Sequence, residues 1–540
     1  MKTPDETVTV QPVTLTENGR KNGDDALLES LGYKQEFKRE FTPLELFGVV
    51  FSILGVVPSI ASVLVYAIPN GGPVSMIWGW AVCTFFLFMM ALAMAELGSA
   101  APTSGGLYYW TFKFSSPGWR HLLCWIVGYA NTIGNIGAVA SVAWGCAVQI
   151  MAAASIGSNL RFSPTTGQTY GCFCAVAFVM AVICSSATKV IARLQTPYTV
   201  LNVLVILGIV IALPAATPSE FMNSAEYVFG NFTNLTTWPS GFAFVLSFLA
   251  PLWTIGAFDS CVHISEEASN ASVAVPWAIV LANMIAAVLG WGVTVAIVFC
   301  MGTDLETIVS SPIGQPLATI FFNSFGKKGT LVIWAIIVAL QFLMGTSILT
   351  VASRQSFAFA RDGALPLSRI LYHINPYTLT PVNCVWFTTS AALLLGLLAF
   401  AGSAAIGAVF TLCVTANYLA FCIPITARFA FHNDFKPGPF TLGRWGLPVA
   451  AIAVSWMCFC MVIFQFPTDP NPPVADMNYT VVVLGGVMTL CLVYYYFPRY
   501  GGVHWFEGPV SNLESDARGK PDETSSRSSG DSGGQEEKGQ

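Results

Sequence analysis

Long apolar stretches separated by short polar segments run along most of the chain. No residue between Leu46 and Ala95 is charged, and the turn at 69–73 (Pro-Asn-Gly-Gly-Pro) divides this stretch in two. Each half has roughly the 20 residues that an α-helix needs to cross a bilayer. Ten similar stretches follow, and only 402–407 separates the ninth from the tenth. The pattern predicts twelve transmembrane spans: 46–68, 74–95, 121–153, 169–188, 196–213, 239–263, 275–301, 330–352, 382–402, 404–427, 446–466 and 479–497.

The composition supports a membrane protein and excludes two other classes. Of the 540 residues, 54% are hydrophobic and 10% are charged, whereas soluble domains carry about 25% charged residues. The net charge of −5, from 24 Lys and Arg against 29 Asp and Glu, argues against a nucleic-acid-binding protein. We therefore predict an all-α integral membrane protein in the lipid bilayer. Its membrane domain covers 41–500, between disordered tails at 1–40 and 501–540.

The loops differ in positive charge between the two sides of the membrane. One side carries only Arg161, Lys327 and Lys328. The other side, which also carries both termini, has fourteen such residues. Because positively charged loops stay in the cytoplasm, both termini are predicted to be cytoplasmic. The sequons at Asn231 and Asn234 then fall in the external loop 214–238, where one of them is expected to carry a glycan. The fourteen residues on the other side are Lys34, Lys38, Arg39, Lys113, Arg120, Lys189, Arg193, Arg354, Arg361, Arg369, Arg428, Lys436, Arg444 and Arg499.

Two spans contain residues that interrupt helices. The first carries Gly55 and Pro58 at its centre, and the sixth carries Pro251 and Gly256. A helix in lipid is broken only where the break faces protein or a cavity. Transporters with inverted repeats bind substrate at such breaks, and a separation of five spans fits two five-helix repeats. Pro58 by itself favours a simple kink, and only the second interrupted helix five spans away shifts the interpretation toward a break.

Two carboxylates inside or beside the spans are candidates for function, because charge is costly in the membrane. Asp259 lies four residues before His263 and so on the same helical face. The alternative for Asp259 is a structural ion pair or helix cap. Glu96 lies at the end of the second span. The alternative to a functional role for Glu96 is a solvated carboxylate at the membrane interface.

Glu266 and Glu267 follow the sixth span directly. They are either a solvated acidic pair or an inner gate that pairs with Arg354 or Arg361. The sequence contains no His-x-x-x-His pair, no His-Glu-x-x-His motif, no Cys-x-x-Cys pair and no phosphate-binding loop. We therefore expect no metal, no cofactor and no enzymatic activity.

Several segments resemble the amino acid–polyamine–organocation superfamily, and within it the fungal branch of GABA and choline permeases. Segment 51–62 (FSILGVVPSIAS) resembles the first helix of that branch, 95–110 the loop after its second helix, and 125–131 its third helix. The exit of the sixth span and segment 353–366 after the eighth are similar as well. The resemblance covers roughly 40–500 and says little about the substrate.

This resemblance implies two inverted five-helix repeats plus two further helices, with broken first and sixth helices. The substrate would bind between these two helices, beside the third, eighth and tenth. Backbone and hydroxyl groups of the first helix would hold a carboxylate. Carbonyl groups of the sixth would hold an amine, with Trp253 as an aromatic lid. The positions carried over are Pro58, Ser59, Ile60, Ala61, Ser62, Asn131, Asn135, Trp253, Thr254, Ile255 and Gly256.

The chain departs from some proton-coupled relatives in the fifth helix, where those relatives place a Lys. The aligned residue here is Asn202, which cannot carry a proton. The coupling group would then be Asp259 or Glu96, or coupling would be absent. The alternative for Asn202 is a hydrogen bond between helices.

The sequence thus predicts a secondary transporter that imports a small amino compound, an amino acid or GABA, with protons. A plasma-membrane location is expected, with the vacuolar membrane as alternative. Ser59 and Ser62 favour a zwitterion, whereas Trp253 and Phe258 leave open a choline or polyamine permease. A nutrient receptor on a transporter fold is a further alternative, which the short tails disfavour.

Overall fold

The fold is built from apolar helices that follow one another with short connections. A computed structural model describes residues 25–509 apart from Lys34, Phe37, Lys38, Glu40, Ala187, Ala257 and 474–476. The predicted disorder of 1–24 and 510–540 lies outside the described residues. Within the described residues, ten helices are long and apolar enough to cross a membrane, and two shorter apolar helices, Ser240–Thr254 and Thr480–Tyr496, complete the set. The predicted all-α fold with twelve spans is confirmed.

Each span in the structure overlaps one of the predicted segments. Their bounds are Pro43–Ala67, Gly72–Ala100, Arg120–Gly157, Thr166–Ser186, Thr188–Ala216, Ser240–Thr254 with Ser260–His263, Ala271–Phe299, Pro316–Arg361, Val382–Ala401, Ser403–Ala430, Gly446–Ile463 and Thr480–Tyr496. Gly402, with φ 135° and ψ 173°, separates the ninth span from the tenth, as 402–407 indicated.

Some helices extend beyond the apolar stretch that marked them. The eighth begins at Pro316, changes direction at the non-helical Gly326 and ends at Arg361, whereas hydropathy marks only 330–352. Hydropathy reports the part of a helix inside the bilayer, while the helix continues until a residue ends it. The buried helix Gly106–Phe114 was not predicted, because its nine residues are too few to span a membrane.

The first span is broken at a single residue. Gly55 has φ 40° and ψ 62°, a left-handed conformation that glycine adopts without steric cost. Helix resumes at Val56, so Pro58 lies in the first turn of the second half-helix, where proline is tolerated. The Ser59 hydroxyl donates to the Leu54 carbonyl over 2.7 Å, which satisfies an acceptor freed by the break. The interruption is therefore at Gly55 and not at Pro58.

The sixth span is broken over a longer segment. Helix Leu249–Thr254 ends at Ile255, with φ −112° and ψ 74°, and the short helix Ser260–His263 follows Asp259. Gly256 and Phe258 lie in the non-helical segment between them. Both predicted breaks are thus present, five spans apart.

The two ends of the described chain lie at the same end of the bundle. The Phe41 amide donates to the Glu267 carbonyl over 3.0 Å. Gly502 packs on Trp125 at the start of the third span, and Tyr129 one turn later donates to the Ala364 carbonyl over 2.8 Å. We call this end the terminal face. The opposite face carries the antiparallel strand pair Asn70–Gly71 and Thr233–Asn234.

Described residues of both predicted tail segments, 1–40 and 501–540, pack against the bundle. Residues 25–30 form a helical turn, and Tyr33 and Phe506 are buried against the bundle. A few aromatic side chains are enough to hold a polar segment against an apolar surface. The average composition of the segment does not show this, because these residues are few.

The first break yields a testable prediction about stability. Gly55→Ala forces alanine into a left-handed conformation that costs about 1–2 kcal/mol, and its Cβ would lie 2.9 Å from Met344 Sδ. We expect a lower melting temperature of the purified protein in detergent. Gly208→Ala, on a helix surface with nothing within 4 Å of the added Cβ, is the matched control. Equal melting temperatures for the two variants would contradict the assignment of the break to Gly55.

Candidate substrate site

A small cavity lies between the two helix breaks, in the middle of the bundle. Its volume is about 40 Å³, enough for a few water molecules. The first, third, sixth, eighth and tenth spans form its wall, as the resemblance implied. The lining residues are Ile53, Leu54, Asn135, Ala138, Val142, Leu252, Trp253, Thr254, Gly256, Asp259, Ser260, Met344, Ile348, Cys413, Val414, Asn417, Tyr418 and Phe421.

Asp259 is the only carboxylate among these residues. It lies immediately after the break of the sixth span and is buried. The Asn131 amide donates to Asp259 Oδ2 over 2.7 Å and also approaches Asn417 Oδ1 at 3.2 Å. His263 Nε2 is 3.1 Å from the same carboxylate oxygen. Asp259 thus both lines the cavity and belongs to a cluster of hydrogen-bonded polar side chains.

A wider cavity of about 470 Å³ opens toward the opposite face, and we call it the vestibule. Tyr66, Trp144 and Phe410 contribute aromatic rings to its wall. The ring of Trp253, which lines the central cavity, lies 5.2 Å from that of Phe410. Trp253 Nε1 donates to the Ser141 hydroxyl over 3.2 Å, which holds the indole in place. Two aromatic rings therefore separate the central cavity from the vestibule.

Two buried ion pairs lie between the central cavity and the terminal face. Arg354 Nε is 2.8 Å from Glu267 Oε1, and Arg361 Nη1 is 3.3 Å from Glu266 Oε2. All four side chains are buried, so the solvated alternative for these glutamates is wrong and both expected pairings are present. Glu266 Oε1 also accepts the backbone N–H of Ser104 over 3.0 Å.

The N-terminal segment covers these ion pairs. Tyr33 stacks on the Arg361 guanidinium, 4.1 Å from its ring centre, and burial raises the pKa of its phenol well above the usual value. Gln35 donates to the Glu266 carbonyl over 2.6 Å. Beside them, Tyr108 donates to Asp362 over 2.7 Å. The barrier toward the terminal face is therefore much thicker than the barrier toward the vestibule.

Comparison with known proteins identifies the family. A family model described as amino acid permease matches residues 42–487. The chain belongs to the amino acid permease family. A GABA-specific permease of Saccharomyces cerevisiae is 37% identical over 501 residues, 91% of this chain and 87% of its own length. An uncharacterized amino-acid permease of Schizosaccharomyces pombe is 38% identical, covering 93% and 91%, and amino-acid permease 2 of Neurospora crassa is 34% identical, covering 92% and 91%.

The predicted site residues of this permease divide into two groups. Asn135, Trp253, Thr254 and Gly256 line the central cavity, and Asn131 contacts the lining residues Asp259 and Asn417. Six others do not line it. Those six are Pro58, Ser59, Ile60, Ala61, Ser62 and Ile255.

The first span meets the cavity through Ile53 and Leu54 instead, because the break lies before Val56. The Ser59 hydroxyl donates to the Leu54 carbonyl. The Ser62 hydroxyl donates to the Pro58 carbonyl over 3.0 Å and its side chain lines the vestibule. Both hydroxyls are therefore engaged with their own span.

Glu96 and Asn202 lie outside the cavity wall. Glu96 is buried, pairs with Arg428 and accepts hydrogen bonds from Thr441 Oγ1 and the Leu442 amide at 2.9 and 3.0 Å. It joins the second span to the loop after the tenth, so the solvated alternative is wrong. Asn202 donates to the Tyr198 carbonyl of its own helix over 3.3 Å, in place of the expected bond between helices.

Most lining residues that the sequence analysis missed are apolar, such as Met344, Ile348 and Phe421. Within an apolar span their residue type does not distinguish a cavity wall from a lipid-facing surface. Asn417 carried a usable signal, because an amide inside a membrane helix needs a polar partner. Gly134 faces it, and the absence of a side chain there lets Asn417 approach.

Proposed function

We propose that this permease imports a small amino compound, an amino acid such as GABA, together with protons. The observation that supports it most is a single buried carboxylate, Asp259, in a closed cavity between two broken helices. The GABA-specific permease among the relatives agrees with a substrate that carries an amine and a carboxylate.

The amine would bind on the side of the sixth span. Asp259 offers the negative charge, and the amide oxygens of Asn135 and Asn417 offer further acceptors. Trp253 adds an aromatic ring suited to an ammonium group. The remaining wall is mostly apolar, which suits the methylene chain of a small amino acid.

The carboxylate would bind on the side of the first span. The second half-helix begins at Val56, so the N–H groups of Val56 and Val57 have no partner within that helix. The positive end of the half-helix favours an anion at this point. We propose these two amides in place of the hydroxyls of Ser59 and Ser62.

Transport would proceed by alternating access. With the terminal face in the cytoplasm, as the loop charges indicate, the vestibule opens outward. Opening to the outside then requires movement of the Trp253 and Phe410 rings. Opening to the cytoplasm requires separation of Glu266 from Arg361 and of Glu267 from Arg354. We propose the plasma membrane as the location of this import.

Asp259 is the proposed proton-coupling group. It lines the cavity, whereas Glu96 is held by Arg428 away from the cavity wall. Asn202 has no titratable group. A proton on the cluster around Asp259 and an amine beside it are within one cavity, so the binding of one necessarily affects the other.

A choline permease is the second candidate. Three aromatic residues, Trp253, Tyr418 and Phe421, line the cavity together with Asp259. Aromatic rings around a carboxylate suit a quaternary ammonium, which needs no hydrogen-bond acceptor.

Uptake of labelled GABA and labelled choline, in cells that lack their own GABA and choline permeases, tests the proposal. We expect saturable GABA uptake that is faster at acid external pH and is not reduced by excess unlabelled choline. Choline uptake that unlabelled choline blocks would instead support the second candidate. Absence of GABA uptake at either pH would contradict GABA as substrate.

Asp259→Asn tests the coupling group. The amide keeps the shape of the side chain but holds neither charge nor titratable proton, so we expect GABA uptake to be weaker and the remaining uptake to lose its dependence on external pH. Asp434→Asn, on the exposed loop after the tenth span, is the matched control and should retain it. Unchanged pH dependence in Asp259→Asn would exclude Asp259 as the coupling group.

Glycosylation tests the orientation. The amide nitrogen of Asn234 donates to the Trp238 carbonyl over 2.7 Å, whereas Asn231 uses its amide oxygen, which accepts from Thr233 over 2.6 Å. We therefore propose Asn231 as the glycan site and expect Asn231→Gln to abolish the gel shift produced by N-glycosidase. Ser272→Ala, which removes the sequon at Asn270 on the terminal face, should leave the shift intact. Loss of the gel shift in Ser272→Ala would show that Asn270 carries the glycan and that the terminal face lies outside the cytoplasm.

A further inference from the structure

His263 is a buried histidine that hydrogen bonds through both ring nitrogens. Nδ1 lies 2.9 Å from the Ser104 carbonyl oxygen, and Nε2 lies 3.1 Å from Asp259 Oδ2. A carbonyl oxygen only accepts hydrogen bonds, so Nδ1 must carry a hydrogen. Because of this contact with Ser104, the neutral ring is the tautomer with hydrogen on Nδ1, and its Nε2 faces Asp259 without a hydrogen of its own.

One proton must lie between His263 Nε2 and Asp259. The pair is either an imidazolium and a carboxylate or a neutral imidazole and a carboxylic acid, and both arrangements contain the same number of protons. Removal of this proton leaves the Nε2 lone pair facing a carboxylate. The hydrogen bond is then lost and the contact becomes repulsive, so the position of the ring depends on the shared proton.

The hydrogen bonds continue from His263 to the terminal face. Ser104 accepts from the ring with its carbonyl and donates its N–H to Glu266 Oε1 over 3.0 Å. Glu266 in turn pairs with Arg361. Next to Ser104, Gly106 packs closely on this helix, because a Cβ there would lie 2.8 Å from Val262. His263 and Ser104 thus connect the cavity carboxylate to the ion pair that closes the terminal face.

We propose that His263 is a positioning residue that makes closure of the terminal face depend on the proton shared with Asp259. With the proton present, the ring holds Ser104, and Ser104 holds Glu266 against Arg361. When the proton passes from the pair to water in the central cavity, the ring releases Ser104 and the barrier loosens. That this release accompanies import rests on the proposed function.

The surroundings of the pair contain few other groups that could account for such a dependence. The thiols of Cys261 and Cys413 are the titratable neighbours of Asp259, and Cys261 points to the Val275 carbonyl. Tyr418 lies on the same cavity wall. Beyond Ser104 the charged groups are Glu266 and Arg361, which form an ion pair, and Asp362, which accepts from Tyr108 and lies near Arg361.

Hydrogen exchange of segment 101–106 tests this inference in the full-length protein, purified in lipid nanodiscs. After correction for intrinsic exchange, we expect the Ser104 amide of the unaltered protein to exchange roughly fivefold more slowly at acid than at mildly alkaline pH, the effect of one lost hydrogen bond. In His263→Gln, which has no titratable ring, this difference should disappear. His432→Gln, an exposed histidine on the loop after the tenth span, is the matched control.

Equal protection of the segment at both pH values in the unaltered protein would overturn the inference, as would a retained difference in His263→Gln. If His263→Gln does not fold, Asp259→Asn provides the test, because it removes the carboxylate that shares the proton with the ring, and the difference should again be lost. The readout involves no transport. Failure of GABA uptake would therefore contradict the proposed function and leave the exchange result standing.

Discussion

The requirement that every backbone polar group within a membrane find a partner determines the rest of this structure. Unbroken helices satisfy it internally, so a break is possible only where protein or a cavity supplies substitutes. At Gly55 the Ser59 hydroxyl supplies one of them. At the sixth-span break the polar cluster of Asp259, Asn131 and His263 follows directly. The proposed site of this permease is the cavity between the two breaks, where polar groups of the sixth span lie within a mostly apolar wall.

The two barriers around the cavity differ in their physical nature. Toward the vestibule, apolar contact between Trp253 and Phe410 can be separated without exposing charge. Toward the terminal face, two buried ion pairs must be opened, and a buried charge that loses its partner is strongly destabilising. The free-energy cost of opening these ion pairs is low only when water solvates the glutamates and the arginines at the same time. This difference explains why the proposed polar connection through His263 and Ser104 can control the barrier toward the terminal face.

Much of the fold was predictable, because membrane spans can be recognised in the sequence by their length and hydropathy. The twelve spans, both broken helices and the pairing of Glu266 and Glu267 with arginines follow from residue types in the chain. The position of the first break did not, because Pro58 is the stronger helix breaker by composition while Gly55 alone tolerates the left-handed conformation. The apolar cavity wall was also beyond prediction, since Met344 or Phe421 in a membrane helix suits lipid equally well. The contact of His263 with Ser104 involves a backbone oxygen, which leaves no mark in the sequence.

Transport against a gradient, driven by protons, is the central claim, and purified protein in liposomes tests it most directly. Labelled GABA is supplied outside vesicles whose interior is more alkaline than the medium, with potassium and valinomycin present to hold the membrane potential at zero. We predict accumulation of GABA inside the vesicles above its external concentration, and collapse of this accumulation when a proton ionophore is added. Uptake that stops at equal concentrations with or without the pH gradient would contradict proton-coupled import.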